Sequence, residues 1–140
     1  ESPIDMMSHA TLTKIMCRQD WKTDHRISLG GLWNGALDRY LSIHPNIKRI
    51  VFAVDNDYLA RNKEGVLTNW GQCTAAKWCS EYSEISYECA IHTPYLKDFN
   101  LSLTEYRKGR TPQDMEDQRM RELEAEFEKD AVAEDDELEI

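Results

Sequence analysis

Lys48-Arg49-Ile50-Val51-Phe52-Ala53-Val54-Asp55-Asn56-Asp57 is the stretch on which the fold turns. Ile50 to Val54 are consecutive apolar residues, bounded by a basic pair before and three polar residues after. Unbroken rather than alternating apolarity predicts a strand covered on both faces, as the strands of a parallel sheet are.

Upstream, Ser2-Pro3-Ile4-Asp5 reads as a helix start: Ser2 caps, Pro3 suits the first helical position and Asp5 completes a capping box. That helix is predicted to reach Cys17 or Arg18 and to bury Ile4, Met7 and Ile15, with Leu12 at the edge. Arg26-Ile27-Ser28-Leu29 is predicted as a short strand stopped by Gly30-Gly31. Trp33, Leu37, Tyr40 and Leu41 fall at helical spacing, and His44-Pro45-Asn46 ends that helix. Downstream of a polar loop at Arg61 to Gly65, Asn69 to Tyr82 predicts a helix with Ala75, Trp78, Cys79 and Tyr82 on one stripe. Ile85 to Ile91 predicts a further strand.

Helix, strand, helix, strand, helix, strand is a βαβ series lacking only its first strand. The expectation is an α/β fold: a mainly parallel sheet of about four strands, helices on both faces, the first strand missing from this chain. Glu1 stands where an initiator Met would, which fits a piece of a longer polypeptide with further domains. Lys108-Gly109-Arg110-Thr111-Pro112 divides a domain at 1–107 from an acidic segment at 108–140. In that segment Met120, Leu123 and Phe127 sit at helical spacing, for packing on the body or on a partner, and Glu134 to Ile140 read as disordered.

The chain's 140 residues suit one core. No apolar run approaches the roughly 18 residues that span a bilayer and no signal-peptide pattern opens it, so a cytoplasmic protein is expected. Cys17, Cys73, Cys79 and Cys89 form no CxxC pair and no zinc spacing, which leaves them as free thiols. The net charge of -9 is unevenly spread. Residues 111–140 carry -10 and residues 1–110 carry +1. The body is therefore near neutral, and the acidity that would repel a polyanion belongs to the tail.

Ligands of open parallel sheets bind beyond the carboxyl ends of the strands, where Asp55 and Asp57 stand. Alternate residues of an extended segment point the same way, so these carboxylates can converge on a hard cation such as Mg²⁺, with Mn²⁺ as substitute. Asp-Asn-Asp is equally a common turn. Three features fall at the same predicted edge: Gly30-Gly31, where backbone can approach a ligand; Lys97-Asp98, in the loop after the last strand; and Glu1, ahead of the first helix. Each alone has a plain reading as a turn, a solvated pair or a terminal residue.

In this order the residues resemble the Toprim domain shared by bacterial primases, type IA and type II topoisomerases and some nucleases. Glu1 to Ser8 resembles the Glu-opened strand-to-helix segment of its primase-like branch, and Ile50 to Asp57 the hydrophobic strand with Asp-x-Asp. Gly71 to Ala76 looks like the small-residue helix start, and Lys97-Asp98-Phe99-Asn100 like the Lys-Asp-x-Asn segment. The likeness spans residues 1 to about 106, and is greatest to Toprim-like domains of bacterial mobile-element proteins.

The resemblance implies Glu1 as general acid/base and metal ligand, and Asp55 and Asp57 as catalytic Mg²⁺ ligands. It assigns support of phosphate or metal to Lys97 and Asp98; Gly30 and Gly31, at the same predicted edge, are expected to contact substrate or phosphate beside them. It implies Mg²⁺-dependent phosphoryl transfer on nucleic acid, DNA before RNA, in a primase-like or relaxase-associated setting. The loop from Tyr58 to Asn69 is longer than the family's usual link, and the strand before Glu1 is absent. A non-catalytic module binding nucleic acid or protein, a Toprim nuclease, and a tail that occupies a basic partner or mimics nucleic acid at the site stay as alternatives. His9, His25, His44 and His92 are too dispersed for a metal cluster, and Trp21, Trp33, Trp70 and Trp78 read as packing residues.

Overall fold

The computed structural model describes residues 1–17 and 21–138, with side chains as far as Ala133. Its central pair of strands is β1 (Arg49–Phe52) and β2 (Glu88–Ile91), parallel and in register from Arg49 opposite Glu88 to Phe52 opposite Ile91. The helix between them, α3 (Trp70–Glu84), is the crossover that a parallel pair requires. Ala75, Trp78 and Tyr82 of α3 are buried against Ile50, Phe52 and Val54, with Leu37 and Leu41 of α2 (Gly35–Ile43) completing the cluster. Phe52 meets Trp78 and Tyr82 with ring centroids 5.7 and 5.8 Å apart. Each such side chain removed from water stabilises the fold by about 1.5–3 kcal/mol.

The expected mainly parallel sheet of about four strands is not formed. Among the described residues the sheet has two strands, and the protein is mostly helical. Arg26 to Leu29, expected as a strand, forms no ladder, although Ile27 and Leu29 pack on the core. Of this segment and the glycine after it, Ser28 Oγ and Gly30 N–H donate to the Glu1 carbonyl, at 3.0 and 2.9 Å. The second strand is shorter than predicted because α3 closes through it. Ser86 takes a left-handed φ of 76°, and its N–H donates to the Ser83 carbonyl.

Helix α1 (Pro3–Cys17) is turned opposite to expectation. It buries Asp5, Ser8, Ala10 and Leu12, and leaves Ile4 and Met7 58% and 66% exposed. The polar face is held by α4 (Phe99–Arg107): Asn100 N–H donates to Asp5 Oδ1 at 3.2 Å, and Ser8 Oγ lies 3.4 Å from Asn100 Oδ1. Buried hydrogen bonds here override the apolar stripe. The last helix, α5 (Pro112–Leu138), is anchored by fully buried Met115 rather than by Met120 and Phe127, which are exposed. Its acids also reach the 58–67 loop. Tyr58 Oη donates to Glu122, and Arg61 pairs with Glu126 at 2.9 Å and Asp130 at 3.1 Å. The predicted disorder from Glu134 falls at the end of this helix and, for residues 139–140, outside the described residues. Of the four tryptophans only Trp78 belongs to the core; Trp33 and Trp70 are exposed.

Candidate functional site

Glu1, Asp55 and Asp57 lie beyond the carboxyl end of β1, near enough for charge to act between them. Neighbouring negative charge acts on two of them: the charges of Asp57 and Asp5 raise the pKa of Glu1, and those of Glu1, Asp5 and Asp57 raise that of Asp55. Burial is the larger cause for both. It holds Glu1 above the usual carboxylate range, against the opposing α-amino group and the Asp55 backbone N–H. It lifts Asp55 to about 6, with the Glu1 charge next in weight. Glu1 Oε1 and Asp55 Oδ1 are buried and have no hydrogen-bond partner among the described residues. Buried, unpartnered carboxylate oxygens are costly and call for a cation or a proton.

The loop that carries these acids is tied on three sides. Asn56 is buried between them; its N–H donates to the Lys97 carbonyl at 2.6 Å and its Nδ2 to the Pro94 carbonyl at 3.1 Å. Asn56 Oδ1 accepts from Asn69 Nδ2 at 2.7 Å, and Asn69 in turn caps α3. Gln72 Nε2 donates to the Asp55 carbonyl at 3.0 Å, and Gly71 packs so closely that a Cβ there would lie 2.1 Å from that oxygen. The first turn of α3 therefore clamps the backbone that aims the carboxylates.

Gly30 and Gly31 have φ of 72° and 146°, where side chains are strained, and Gly30 is bonded to the Glu1 carbonyl. Gly30 meets the site through the backbone of Glu1. Lys97 contributes its carbonyl to the Asn56 turn, and its side chain is exposed. Asp98 caps α4, its Oδ1 accepting from Leu101 N–H at 2.6 Å. Asn56 and Gln72 were not among the predicted site residues. Asn56 was legible only as a turn former, and nothing in the sequence singles out Gln72. Asp5 was legible as a helix cap but not as a fourth charge on the site.

Among the described residues no three His, Cys, Asp or Glu side chains form a ready metal cage. Mg²⁺ is compatible with less, since it keeps several waters and takes one or two protein carboxylates beside substrate phosphate. The two orphaned carboxylate oxygens fit that donor set. Among the described residues no helix is long and apolar enough to cross a membrane. No family model, curated protein or solved structure matches the chain.

Proposed function

We propose that this chain is a Mg²⁺-dependent nucleic-acid-processing domain, cytoplasmic, carrying out phosphoryl transfer on DNA in preference to RNA. The observation that carries the reading is the pair of buried, unpartnered oxygens of Glu1 and Asp55, with Asp57 beside them. Glu1, Asp55 and Asp57 would hold the cation, and Mn²⁺ would substitute. When bound, the metal supplies charge stabilisation for a phosphoryl group. Glu1, whose pKa is raised, is the candidate general acid/base. The order Glu1, Asp55-Asn56-Asp57, Lys97-Asp98 supports a Toprim-type, primase-like or relaxase-associated chemistry on its site residues alone; the four-stranded sheet forms no part of the case.

Thermal unfolding with Mg²⁺ or Mn²⁺ and a single-stranded oligonucleotide tests the reading. The wild type should gain several degrees in Tm at millimolar Mn²⁺, about 1–2 kcal/mol by ligand linkage, and Asp55→Ala should gain nothing. Equal responses by the two proteins would sink it. Trp70, half exposed on the first residue of α3, is a fluorescence reporter of oligonucleotide arrival at the same edge. Nicking and priming assays then separate catalysis from binding: turnover lost in Glu1→Gln supports phosphoryl transfer, and binding without turnover reassigns the domain as a non-catalytic module.

A further inference from the structure

A cavity of about 440 Å³ separates β1 from the segment Arg26 to Leu29. It is lined on one side by Arg49 to Phe52 and on the other by Ile27 and Leu29, and Leu37 and Leu41 also line it. Both long walls carry unmatched backbone. Glu88 N–H donates to the Lys48 carbonyl and His92 N–H to the Phe52 carbonyl, each at 2.9 Å, so those residues of the strand face β2. Alternation turns the N–H and C=O of Arg49 and Val51 to the opposite edge, which has no partner strand among the described residues. Across the gap, no backbone N–H or C=O of Arg26, Ile27, Ser28 or Leu29 makes a hydrogen bond to a described residue. Arg26 also leaves its buried Nε without a partner among the described residues.

Two rows of unbonded peptide groups, the free edge of β1 and residues 26–29, flank an apolar floor and define what can fill the space. Water would satisfy the rows but leave Ile27, Leu29, Leu37 and Leu41 wet. An apolar small molecule would do the reverse. An extended peptide strand offers donors and acceptors along both of its edges and side chains above and below. We propose that this cavity is a β-strand acceptor, and that its occupant is an extended polypeptide strand with alternating apolar residues. Such a strand would hydrogen-bond to Arg49 and Val51 on one edge and to Arg26 to Leu29 on the other, and run alongside the carboxylates at Glu1. The inference is independent of what those carboxylates do.

The probe is a capped heptapeptide of alternating valine and threonine between terminal lysines. Its control carries N-methylated valine amides, which keep the side chains and remove donors. Amide hydrogen exchange of the full chain should slow by about tenfold or more at Ile27, Leu29 and Val51 with the first peptide, and not with the second. Val51→Pro removes a donor from the free edge without touching the β2 ladder, so it should weaken binding at least tenfold with unchanged circular dichroism. Equal protection by both peptides would reduce the cavity to a greasy pocket and overturn the proposal. So would no protection at millimolar peptide. Protection that instead rises with protein concentration, alongside a dimer in sedimentation, would assign the edge to a second copy and reject the peptide acceptor.

Discussion

Asp55 carries opposing demands in one side chain. Its ionised form suits a cation, yet burial and the neighbouring Glu1 charge lift its pKa from 3.8 to about 6. A carboxyl held more protonated in the fold than in the open chain stabilises the fold below about pH 4, and that contribution is lost as pH rises through about 6. His9 acts with the reverse sign. Its Nε2 lies 3.1 Å from His92 Nδ1, and burial, then the His92 charge, lower its pKa from 6.5 to about 4. The stability it contributes is complete above pH 6.5 and lost as pH falls through about 4. Over the same window the two slopes offset one another in the metal-free protein. Asp55→Asn removes one of them. Urea unfolding without divalent metal should show the variant gaining on wild type between pH 4 and 6, levelling at about 1 kcal/mol once solvent screening of this partly buried group is allowed for. A difference independent of pH would place the Asp55 cost elsewhere. Asp55 and Asp57 were legible in sequence because an apolar run ended in them. Asn56 was not, since its partners at Pro94, Lys97 and Asn69 come from loops that only the fold assembles.

Between elements, the joint of β1 and α3 positions the site. Gly71 is where it is tightest, because the Asp55 carbonyl occupies the space of a side chain. Gly71→Ala must push that carbonyl away and break the Gln72 bond to it. The substitution should cost about 1–3 kcal/mol of stability. It should also abolish the Mn²⁺-induced rise in Tm, although residue 71 bears no ligand. Ala76→Gly, on an exposed turn of the same helix, should cost about 1 kcal/mol and keep the metal response. A Gly71→Ala protein that still responds to metal would show that the clamp does not set the carboxylates. Helix α3 was readable in advance because its buried stripe is apolar and local. Helix α1 was not, because its buried face is Asp5 and Ser8, whose partner Asn100 lies far along the chain. The segment at Arg26 to Leu29 shows the same limit for strands. Its pattern resembles a strand, but a ladder needs a neighbour, and local pattern says nothing of whether one is there.

At the scale of the whole molecule, charge is distributed against the proposed nucleic-acid partner. The acidic helix α5 is not a loose appendage, because Met115 is buried and Arg61 draws Glu126 and Asp130 against the loop that follows the acidic turn. Its negative charge is therefore held against the same loop that leaves the carboxylates. The partition of -10 and +1 was visible in sequence; that the negative part docks was not, since ion pairs and one buried Met carry it. Asp117, Glu124 and Glu128 are exposed, and none of the three makes an ion pair among the described residues. Neutralising them as Asp117→Asn, Glu124→Gln and Glu128→Gln should leave unfolding within about 0.5 kcal/mol of wild type. If α5 shields the site from polyanions, single-stranded DNA should bind the triple variant several-fold more tightly at 50 mM salt, and the gain should shrink at higher salt as screening sets in. Equal affinity at every salt concentration would mean that the docked helix is a strut for the 58–67 loop and takes no part in admitting the substrate.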